Sequence, residues 1–424
     1  QAERRADSAA AARLWRQAVT AHERGAGGIA DRLEAVLGLG RALAVTGRLG
    51  EARQHRAAAI TAAATLDDPL LAARIITAFQ VPAVWTRNDD EALSRQVVDV
   101  AEQTLRVLPP DRLADRCRLL STVALELRGT TTDRGHRAAR EATALARRLA
   151  DPALLAFASN ARFMHTFART GLAGERARIG ADLIELAARH ELVTFEVLGH
   201  LIALQAQCAL GELTTADAHA AAADRLAERY DLPLVGVFTR WYAALRLAIG
   251  GRLTEAEAAY RVAHARLAGG GMPGLADGLL PLALLALRLP APAGDGIGSA
   301  DLAECDGWDW GPHEPWVRPV LLLAAGSRDD AARALASLPE SPHDLLREAR
   351  LCLAARAAVA LGDRTTMAYV HAELLPAAGE LAGAGSGILT LGPVSRHLGD
   401  LAAALGRSTE ASPAGGRATG SGTR

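Results

Sequence analysis

Polar side chains that could bind a ligand recur in this sequence at an interval of forty residues. Asn160, His200 and Arg240 are separated by that interval, and each falls in a segment whose apolar pattern predicts a helix. If equivalent helices are stacked, residues at this spacing lie above one another along one face. We therefore expect a binding groove along that face. Its candidate residues are Asn160, Arg162, His165, His200, Arg240 and Trp241.

Arg240 and Trp241 form the most favourable pair for recognition. The arginine guanidinium is a planar fork that suits a carboxylate or phosphate, and an indole beside it offers an apolar face. His200 ranks with Arg240, because the two are expected on consecutive helices at a junction between repeats. The alternative is structural: Asn160 and His165 would bridge neighbouring helices, and the aromatic residues around them would belong to the core.

Residue patterns typical of catalysis or metal binding are missing from the sequence. Three His-Glu pairs begin like a zinc-protease motif, but none has a second histidine four residues after the first. Ser386 lies in a glycine-rich stretch that lacks the Gly-x-Ser-x-Gly spacing. The chain has no lysine, which excludes a Walker phosphate loop and Schiff-base chemistry. We expect no enzymatic activity, no cofactor and no metal site.

Glycine marks the ends of predicted helices at a regular period. Three of these glycines are spaced forty residues apart, and each is followed within a few residues by a glutamate that opens the next helix. A period of this length is typical of stacked helical hairpins. Since alanine and leucine are abundant and aromatic residues make up only 4% of the chain, we predict an all-α fold. The expected architecture is a right-handed superhelix, or solenoid, of about nine antiparallel helix pairs. The predicted turn glycines are Gly47, Gly171, Gly211, Gly251, Gly326 and Gly362.

A second marker, an aspartate close to a proline, recurs at about twice that period. Asp68, Asp151 and Asp231 each precede a proline by one or two residues. An aspartate at the N-cap accepts hydrogen bonds from free N–H groups at the helix start, and proline loses no hydrogen bond in the first turn. All three aspartates are therefore predicted to begin helices.

The chain is predicted to hold one interrupted array of repeats followed by a tail. The stretch 290–319 is rich in proline and glycine, so we expect an irregular insertion or a kink there. The stretch 408–424 lacks apolar periodicity and should be disordered. The predicted organisation is a helical array over 1–289, the irregular segment over 290–319, C-terminal repeats over 320–407 and the tail over 408–424.

Three of the six tryptophans, Trp308, Trp310 and Trp316, lie in the predicted irregular segment. Two interpretations remain open for them. The segment could fold down on the edge of the array and bury the indoles. Alternatively, exposed tryptophans could anchor a partner protein, because they are frequent hot spots of interfaces.

Charge and hydropathy limit the classes of partner. The net charge is −1, so we expect no direct binding to nucleic acid and no attraction to an anionic membrane. No apolar run approaches the length of a membrane span, and the chain does not open with a secretory signal. Four cysteines isolated in sequence suit buried thiols in a reducing compartment. We therefore expect a cytoplasmic location.

The repeat units resemble tetratricopeptide repeats. Leu39, Gly40, Leu43, Gly47 and Ala52 have the small and large residues of that repeat in the expected order. In such repeats, the first helix of each pair lines the concave face of the superhelix.

Longer stretches look like the C-terminal tetratricopeptide region of large actinobacterial transcriptional regulators, namely the Streptomyces antibiotic regulatory protein family and the related large ATPase regulators. The resemblance covers most of Ala12 to Arg407, and the stretches that carry it are 68–87, 160–167, 193–200, 231–241 and 391–401. It implies a regulatory domain of a pathway-specific activator of secondary metabolism. In such a protein the nucleotide-binding and DNA-binding domains lie upstream of the repeats, and they would be the partners of this region.

Two functions are compatible with this sequence. The first is a sensor that binds a small effector and controls the upstream domains. The second is an interaction scaffold that binds a peptide or a second copy of itself. A closed pocket between Asn160 and Trp241 would favour the sensor, whereas an open groove with an exposed apolar patch would favour the scaffold.

Overall fold

The computed structural model shows that the described part of the chain is all-helical. The described residues are 8–25, 28–267, 270–289, 302, 305 and 307–407. Within them, the only β-type pairings are two isolated bridges, which join Gly129 to His343 and Leu381 to Pro393. The prediction of an all-α fold is therefore confirmed. The predicted tail over 408–424 lies outside the described residues, as does 290–301 of the segment predicted to be irregular.

The described helices follow one another with short connections, apart from longer stretches without α-helix at 79–90, 307–313 and 375–393. Short 3-10 turns cover Gly311–His313, Leu375–Ala377 and Ala384–Ser386. The α-helices are α1 Ser8–Glu23, α2 Ile29–Val45, α3 Leu49–Ala63, α4 Pro69–Thr77, α5 Glu91–Val107, α6 Leu113–Glu126, α7 Asp133–Leu149, α8 Pro152–Met164, α9 Ala173–Arg189, α10 Val193–Ala209, α11 Leu213–Tyr230, α12 Val235–Ile249, α13 Leu253–Ala265, α14 Pro273–Ala276, α15 Leu279–Arg288, α16 Glu314–Ala324, α17 Arg328–Ala336, α18 Arg347–Leu361, α19 Arg364–Leu374 and α20 Val394–Leu405.

Every glycine predicted to mark a turn lies between two helices. Gly171, Gly211 and Gly251 have φ angles of 76°, 78° and 74°, in the left-handed region that ends a helix. The same holds for Gly47 and Gly326, at 84° and 77°, and for the last of the six, at 76°. A residue with a Cβ atom is strained in this region, so glycine is the usual residue there. The prediction of these turns is confirmed.

Two of the three predicted aspartate N-caps are confirmed. Asp68 accepts hydrogen bonds from the N–H groups of Leu70 and Leu71, and Asp151 caps α8 in the same way. The prediction for Asp231 is wrong, because this residue has a φ of 51° and ends α11 instead. Asp231 is also not adjacent to the next helix, because α12 has Leu234 at its N-cap and begins at Val235. Further along the chain, α16 begins at Glu314, inside the segment predicted to be irregular.

Helices pack on their neighbours in sequence and also on the next helix but one. The pairs α2 and α3, α9 and α10, α12 and α13, and α18 and α19 are in contact, as a chain of hairpins requires. Contacts of α4 with α6, α6 with α8, and α16 with α18 stack successive hairpins. Many of the buried residues at these contacts are alanines, which allow helix axes to approach closely.

Two non-helical stretches run through the interior rather than over the surface. The first interior segment, residues 79–90, joins α4 to α5. The second interior segment, residues 380–392, precedes α20. Both are held by hydrogen bonds from distant parts of the chain, which compensate for the missing helical bonds. In the first, Asn160 holds the main chain of Ala83; in the second, the Tyr260 hydroxyl donates to the Ile388 carbonyl at 2.6 Å.

Candidate functional site

A cavity of about 250 Å³ lies beside the first interior segment. Its walls come from helices that are distant in sequence. The elements that contribute are α2, α3, α5, α6, α8, α10, α12, α14 and residues 79–90. Concave, largely apolar cavities with a few polar groups are the usual form of small-molecule sites. We call this space the central cavity.

The central cavity has one apolar side. Helix α10 contributes Val197, Leu198 and Leu201, and the facing wall includes Phe157 from α8 and Phe238 from α12. Most of these side chains are otherwise buried in the core. This part of the sequence is apolar on nearly all sides of its helices, as expected where neighbours cover both faces.

The opposite end of the cavity is polar and is organised around Glu126 at the end of α6. Its carboxylate accepts from the Arg56 guanidinium at 2.7 Å and from the Ser94 hydroxyl at 2.7 Å. Glu126 is only 7% exposed. Burial by itself would raise the pKa of this carboxyl group, but the charges of Arg56 and Arg128 outweigh burial and lower it. Glu126 is therefore a buried anion at neutral pH.

A second ion pair borders the same end. Arg53 from α3 contacts the Asp89 carboxylate at 3.1 Å and donates to the Gly271 carbonyl. The Gly274 N–H also donates to Asp89, at 3.0 Å. Burial raises the pKa of Asp89 above its ordinary value, although Arg53 and the Gly274 hydrogen bond oppose that effect. These contacts fix the end of the first interior segment against α3 and α14.

Arg128, just after α6, has a different environment from Arg53 and Arg56. Its guanidinium donates to the main-chain carbonyls of Trp85 at 3.2 Å and Leu125 at 2.7 Å. Within the described residues, no carboxylate lies within 4.0 Å of it. Burial lowers the pKa of Arg128, and the more distant charges of Glu126 and Asp89 partly offset the effect. Arg128 thus carries a charge that no direct ion pair neutralises.

Three buried polar atoms around the central cavity have no hydrogen-bond partner among the described residues. They are Nε of Arg56, Nη1 of Arg87 and Oδ1 of Asn88. Arg87 Nη1 lies 3.8 Å from the Asp277 carboxylate, which is too long for a hydrogen bond. Buried polar atoms are nearly always paired in folded proteins, by protein groups, water or a ligand. These atoms have almost no accessible surface, so a ligand group could reach them only if neighbouring side chains moved; the accessible polar groups of the lining belong to the rest of these residues and to Arg128.

A second cavity, of about 430 Å³, adjoins the polar end. Asn88, Ser94, Glu126 and Arg128 border both cavities, so these residues form a shared wall. Its far side includes His313, whose pKa burial lowers to about 4, so the ring is neutral near pH 7. The polar end of the central cavity is therefore accessible from two sides.

Two of the predicted binding residues, Asn160 and His165, hold other parts of the chain in place instead. Asn160 is fully buried, and its amide makes paired hydrogen bonds with the Ala83 main chain at 3.0 and 2.7 Å. Nε2 of His165 lies 2.8 Å from the Ala124 carbonyl oxygen. Both residues thus bridge distant elements, as the structural alternative predicted. Asn160 still bears on the central cavity, because Ala83 is part of its wall.

The remaining predicted residues do not form a common groove. Arg162 is paired with Glu175 at 2.7 Å. Nδ1 of His200 lies 3.0 Å from Nδ1 of His219 on α11, and burial followed by the His219 charge lowers the pKa of His200 to about 4. Hence His200 faces the second helix of its own hairpin rather than a ligand groove.

The predicted pair of Arg240 and Trp241 is separated by the helix itself. Arg240 is exposed and donates to the Gly236 carbonyl of its own helix at 3.2 Å. Trp241 is fully buried, and its ring packs against Tyr260 and His264. Consecutive residues on a helix point about 100° apart, so one side chain can face solvent while the next enters the core. The prediction of a joint recognition surface is wrong for this pair.

The tryptophans of the irregular segment pack against the array. Trp310 and Trp316 are each 7% exposed, and the Arg350 guanidinium lies over the Trp316 ring. Trp308 is half-buried between Trp310 and Arg288. These contacts favour the interpretation in which the segment folds on the edge of the array. They leave little indole surface for a partner.

Several residues of the central cavity were not predicted from the sequence. Arg56, Ser94 and Arg128 belong to no repeating motif, and their roles depend on contacts between helices. Glu126 offered one signal, because it directly follows the apolar residues Val123, Ala124 and Leu125. A charged residue at the end of such a run can be buried with a partner.

The described part of the chain was also considered for metal sites, membrane-spanning helices and disulfides. Its histidines, cysteines and carboxylates form no group of three that could hold a metal ion. None of its helices is both long enough and apolar enough to cross a membrane. All four cysteines are free and buried. Compared with protein-family models and with curated proteins, the sequence matches none of either.

Proposed function

We propose that this chain is the regulatory region of a larger transcriptional activator of secondary metabolism, and that it binds a small effector in the central cavity. Its architecture would be a right-handed, tetratricopeptide-like superhelix of paired antiparallel helices. The repeat period, the left-handed turn glycines and the contacts between alternate helices support this architecture. The resemblance of the stretches 68–87 and 231–241 to the large actinobacterial regulators supports the regulatory role.

One observation carries the proposal of effector binding: the central cavity combines an apolar wall with buried polar atoms that lack partners. Empty space costs packing energy and unpaired polar atoms cost desolvation energy. Unpaired atoms also occur away from the cavity, for example on Gln205 and Trp241, so the empty space is the feature that is specific to this site. A ligand with an apolar body and a polar group would remove both costs. We infer no enzymatic activity, since no set of residues around the cavity resembles an activated nucleophile or a general acid–base pair.

The cavity also provides a way to transmit the effect of ligand binding to other parts of the protein. Its walls are formed by α3, α6, α10 and α12, which belong to different hairpins. A ligand that contacts all of them would stabilise one relative arrangement of these hairpins over others. The upstream nucleotide-binding and DNA-binding domains of the parent protein would respond to that arrangement in the cytoplasm.

The alternative function is an interaction scaffold, and the second interior segment argues against its simplest form. Residues 380–392 lie on the inner sides of α10 and α13, where an extended peptide would be expected to bind. Gln205 donates to the Ser386 carbonyl at 3.2 Å, and the Leu381 N–H donates to the Ala209 carbonyl at 2.7 Å. A peptide ligand would have to displace this segment. Self-association through another surface stays open as the second candidate.

Native mass spectrometry of the chain incubated with extracts of the source cell tests the proposal. We expect a bound small molecule on the wild-type chain and its loss in Val197→Phe, which fills the cavity. Val262→Phe is the matched control, because Val262 is 57% exposed on α13. An adduct retained equally by both variants would place the ligand elsewhere. A dimer or peptide complex without an adduct would support the scaffold.

A further inference from the structure

The lining of the central cavity contains four arginines and three carboxylates, so it has one excess positive charge. Arg53 is paired with Asp89 and Arg56 with Glu126, and the third carboxylate, Asp90, caps α5. Of the two other arginines, Arg87 has the Asp277 carboxylate at 3.8 Å, whereas Arg128 donates to main-chain carbonyls and has no carboxylate of the described residues within 4.0 Å. A neutral ligand would leave that charge uncompensated in a partly desolvated site, whereas one anionic group would neutralise it.

The unpaired hydrogen-bond donors point to the same kind of ligand group. Nε of Arg56 and Nη1 of Arg87 are buried without partners, and both residues line the central cavity. A carboxylate has two oxygen atoms, each of which can accept from a guanidinium N–H. It also carries a single negative charge, which matches the excess. A phosphate monoester would bring close to two charges and would be repelled by Glu126.

The rest of the cavity favours an apolar body. Phe157, Leu201 and Phe238 are among the many apolar residues of the lining, and they offer no hydrogen-bonding side-chain atoms. A sugar or a nucleoside would lose its hydrogen bonds to water against this wall without replacing them. An alkyl or aryl body would instead gain from leaving water.

We infer that the effector of the central cavity is an apolar monocarboxylate whose carboxylate lies against Arg128 and Arg56. This inference rests on the proposed function and names the chemical class of the ligand. The apolar body extends along α8, α10 and α12. Arg128 is the specificity-determining residue, because its charge has no carboxylate partner in the described part of the protein.

The test compares three probes of equal chain length, namely decanoate, 1-decanol and decylamine, by titration calorimetry on the wild-type chain. We expect decanoate to bind about tenfold or more tightly than 1-decanol, as a charge-assisted hydrogen bond warrants. Decylamine should bind most weakly. Equal affinities, or a preference for the amine, would overturn the inference.

Two variants then test whether Arg128 causes the preference for decanoate over 1-decanol. Arg128→Met should remove the preference for decanoate, measured as the ratio of the affinities for decanoate and 1-decanol. Arg112→Met is the control, because Arg112 is an exposed residue paired with Asp115 one turn away. A preference that survives Arg128→Met would contradict the assignment. If Arg128→Met does not fold, the comparison of the three probes on the wild-type chain decides by itself.

The same titrations separate this inference from the proposed function. Binding of 1-decanol or decylamine that Val197→Phe abolishes, without tighter binding of decanoate, would leave the cavity as a ligand site and refute the carboxylate. If none of the probes binds and native mass spectrometry finds no adduct, the proposed function fails together with the inference.

Discussion

The two interior segments are held in similar ways, but the first borders a cavity and the second is packed against helices. Residues 79–90 and residues 380–392 both cross inner helix faces, and both are held by hydrogen bonds to residues far away in the sequence. The first borders a cavity of about 250 Å³. The second is buried almost throughout and packs directly on α10, α12 and α13. In this fold, an inner face can therefore be left open for a ligand or filled by the chain itself.

Side-chain size explains the difference. The second segment contains Ala382, Gly383, Ala384, Gly385 and Gly387, so its backbone can approach the helices closely. A Cβ atom added at Gly387 would lie 3.4 Å from the Leu204 side chain and 3.5 Å from that of Gln205. The first segment carries large and charged side chains such as Trp85, Arg87 and Asp89. These side chains border the cavity.

Two buried glutamates show the same contrast in their electrostatics. Glu126 beside the cavity is paired with Arg56, and its pKa is lowered. Glu348 on α18 is 6% exposed, and burial raises its pKa to about 7, although Arg176 opposes the effect and Glu380 of the second segment adds to it. The cavity region stabilises a buried anion, whereas the filled region favours a protonated carboxyl group.

The largest effect is expected from removing the anion beside the cavity. Glu126→Ala would leave Arg56 buried without its partner, and we expect the free energy of unfolding to fall by about 3–5 kcal/mol. Urea denaturation measures this change. Glu102→Ala is the control, since its pair with Arg134 is largely exposed and should contribute less than about 1 kcal/mol. Similar losses in both variants would mean that the polar end is not a coupled buried site.

A pH dependence distinguishes the two glutamates. The folded-state pKa of Glu348 is above its ordinary value of 4.5, so the folded protein binds this proton more tightly than the unfolded chain does. The free energy of unfolding should then decrease as pH rises from about 4.5 to about 7, by on the order of 2–3 kcal/mol. We expect Glu348→Gln to abolish this decrease in urea denaturation measured between pH 5 and pH 8.

Glu126 should act in a different pH window. Its pKa is lowered on folding, so its contribution to stability is present above pH 4.5 and is lost as the pH falls below that value. Glu348→Gln should leave this loss of stability below pH 4.5 unchanged. A decrease between pH 4.5 and 7 that persists in Glu348→Gln would assign it to another group.

A larger side chain should be tolerated beside the cavity and should destabilise the protein in the filled region around residues 380–392. Ala384 is fully buried against Leu204 and Tyr242, so Ala384→Leu should reduce the free energy of unfolding by about 1–3 kcal/mol through overpacking. Val197→Leu extends a side chain of similar burial towards the cavity and should change it by less than about 1 kcal/mol. Thermal unfolding of the two variants provides the measurement. Equal losses would contradict the distinction between the open and the filled face.

The smallest effect is expected at the residue that the sequence ranked highest. Arg240→Ala removes an exposed side chain whose hydrogen bond to Gly236 lies within its own helix, so the free energy of unfolding should change by less than about 0.5 kcal/mol. Effector binding should also be unchanged in the native mass spectrometry assay. A marked loss of binding would return Arg240 to the site and move the site away from the central cavity.

Features that depend on a few neighbouring residues could be predicted from the sequence. The turn glycines, the N-caps at Asp68 and Asp151, and the helical class follow from local φ angles and hydrogen bonds, which involve residues no more than a turn or two apart. The failed N-cap at Asp231 shows the limit, because an aspartate near a proline is compatible with either end of a helix.

The candidate site depends on contacts between distant residues, which no local sequence pattern encodes. Periodicity placed Asn160, His200 and Arg240 on equivalent turns, but it did not determine which way each side chain faces. Asn160 meets Ala83 from 77 residues away, and Gln205 meets Ser386 from 181 residues away. Such contacts arise only when helices that are distant in sequence pack together. The sequence by itself therefore determined the helices and their turns, and the tertiary structure decided which inner faces are filled and where a cavity remains.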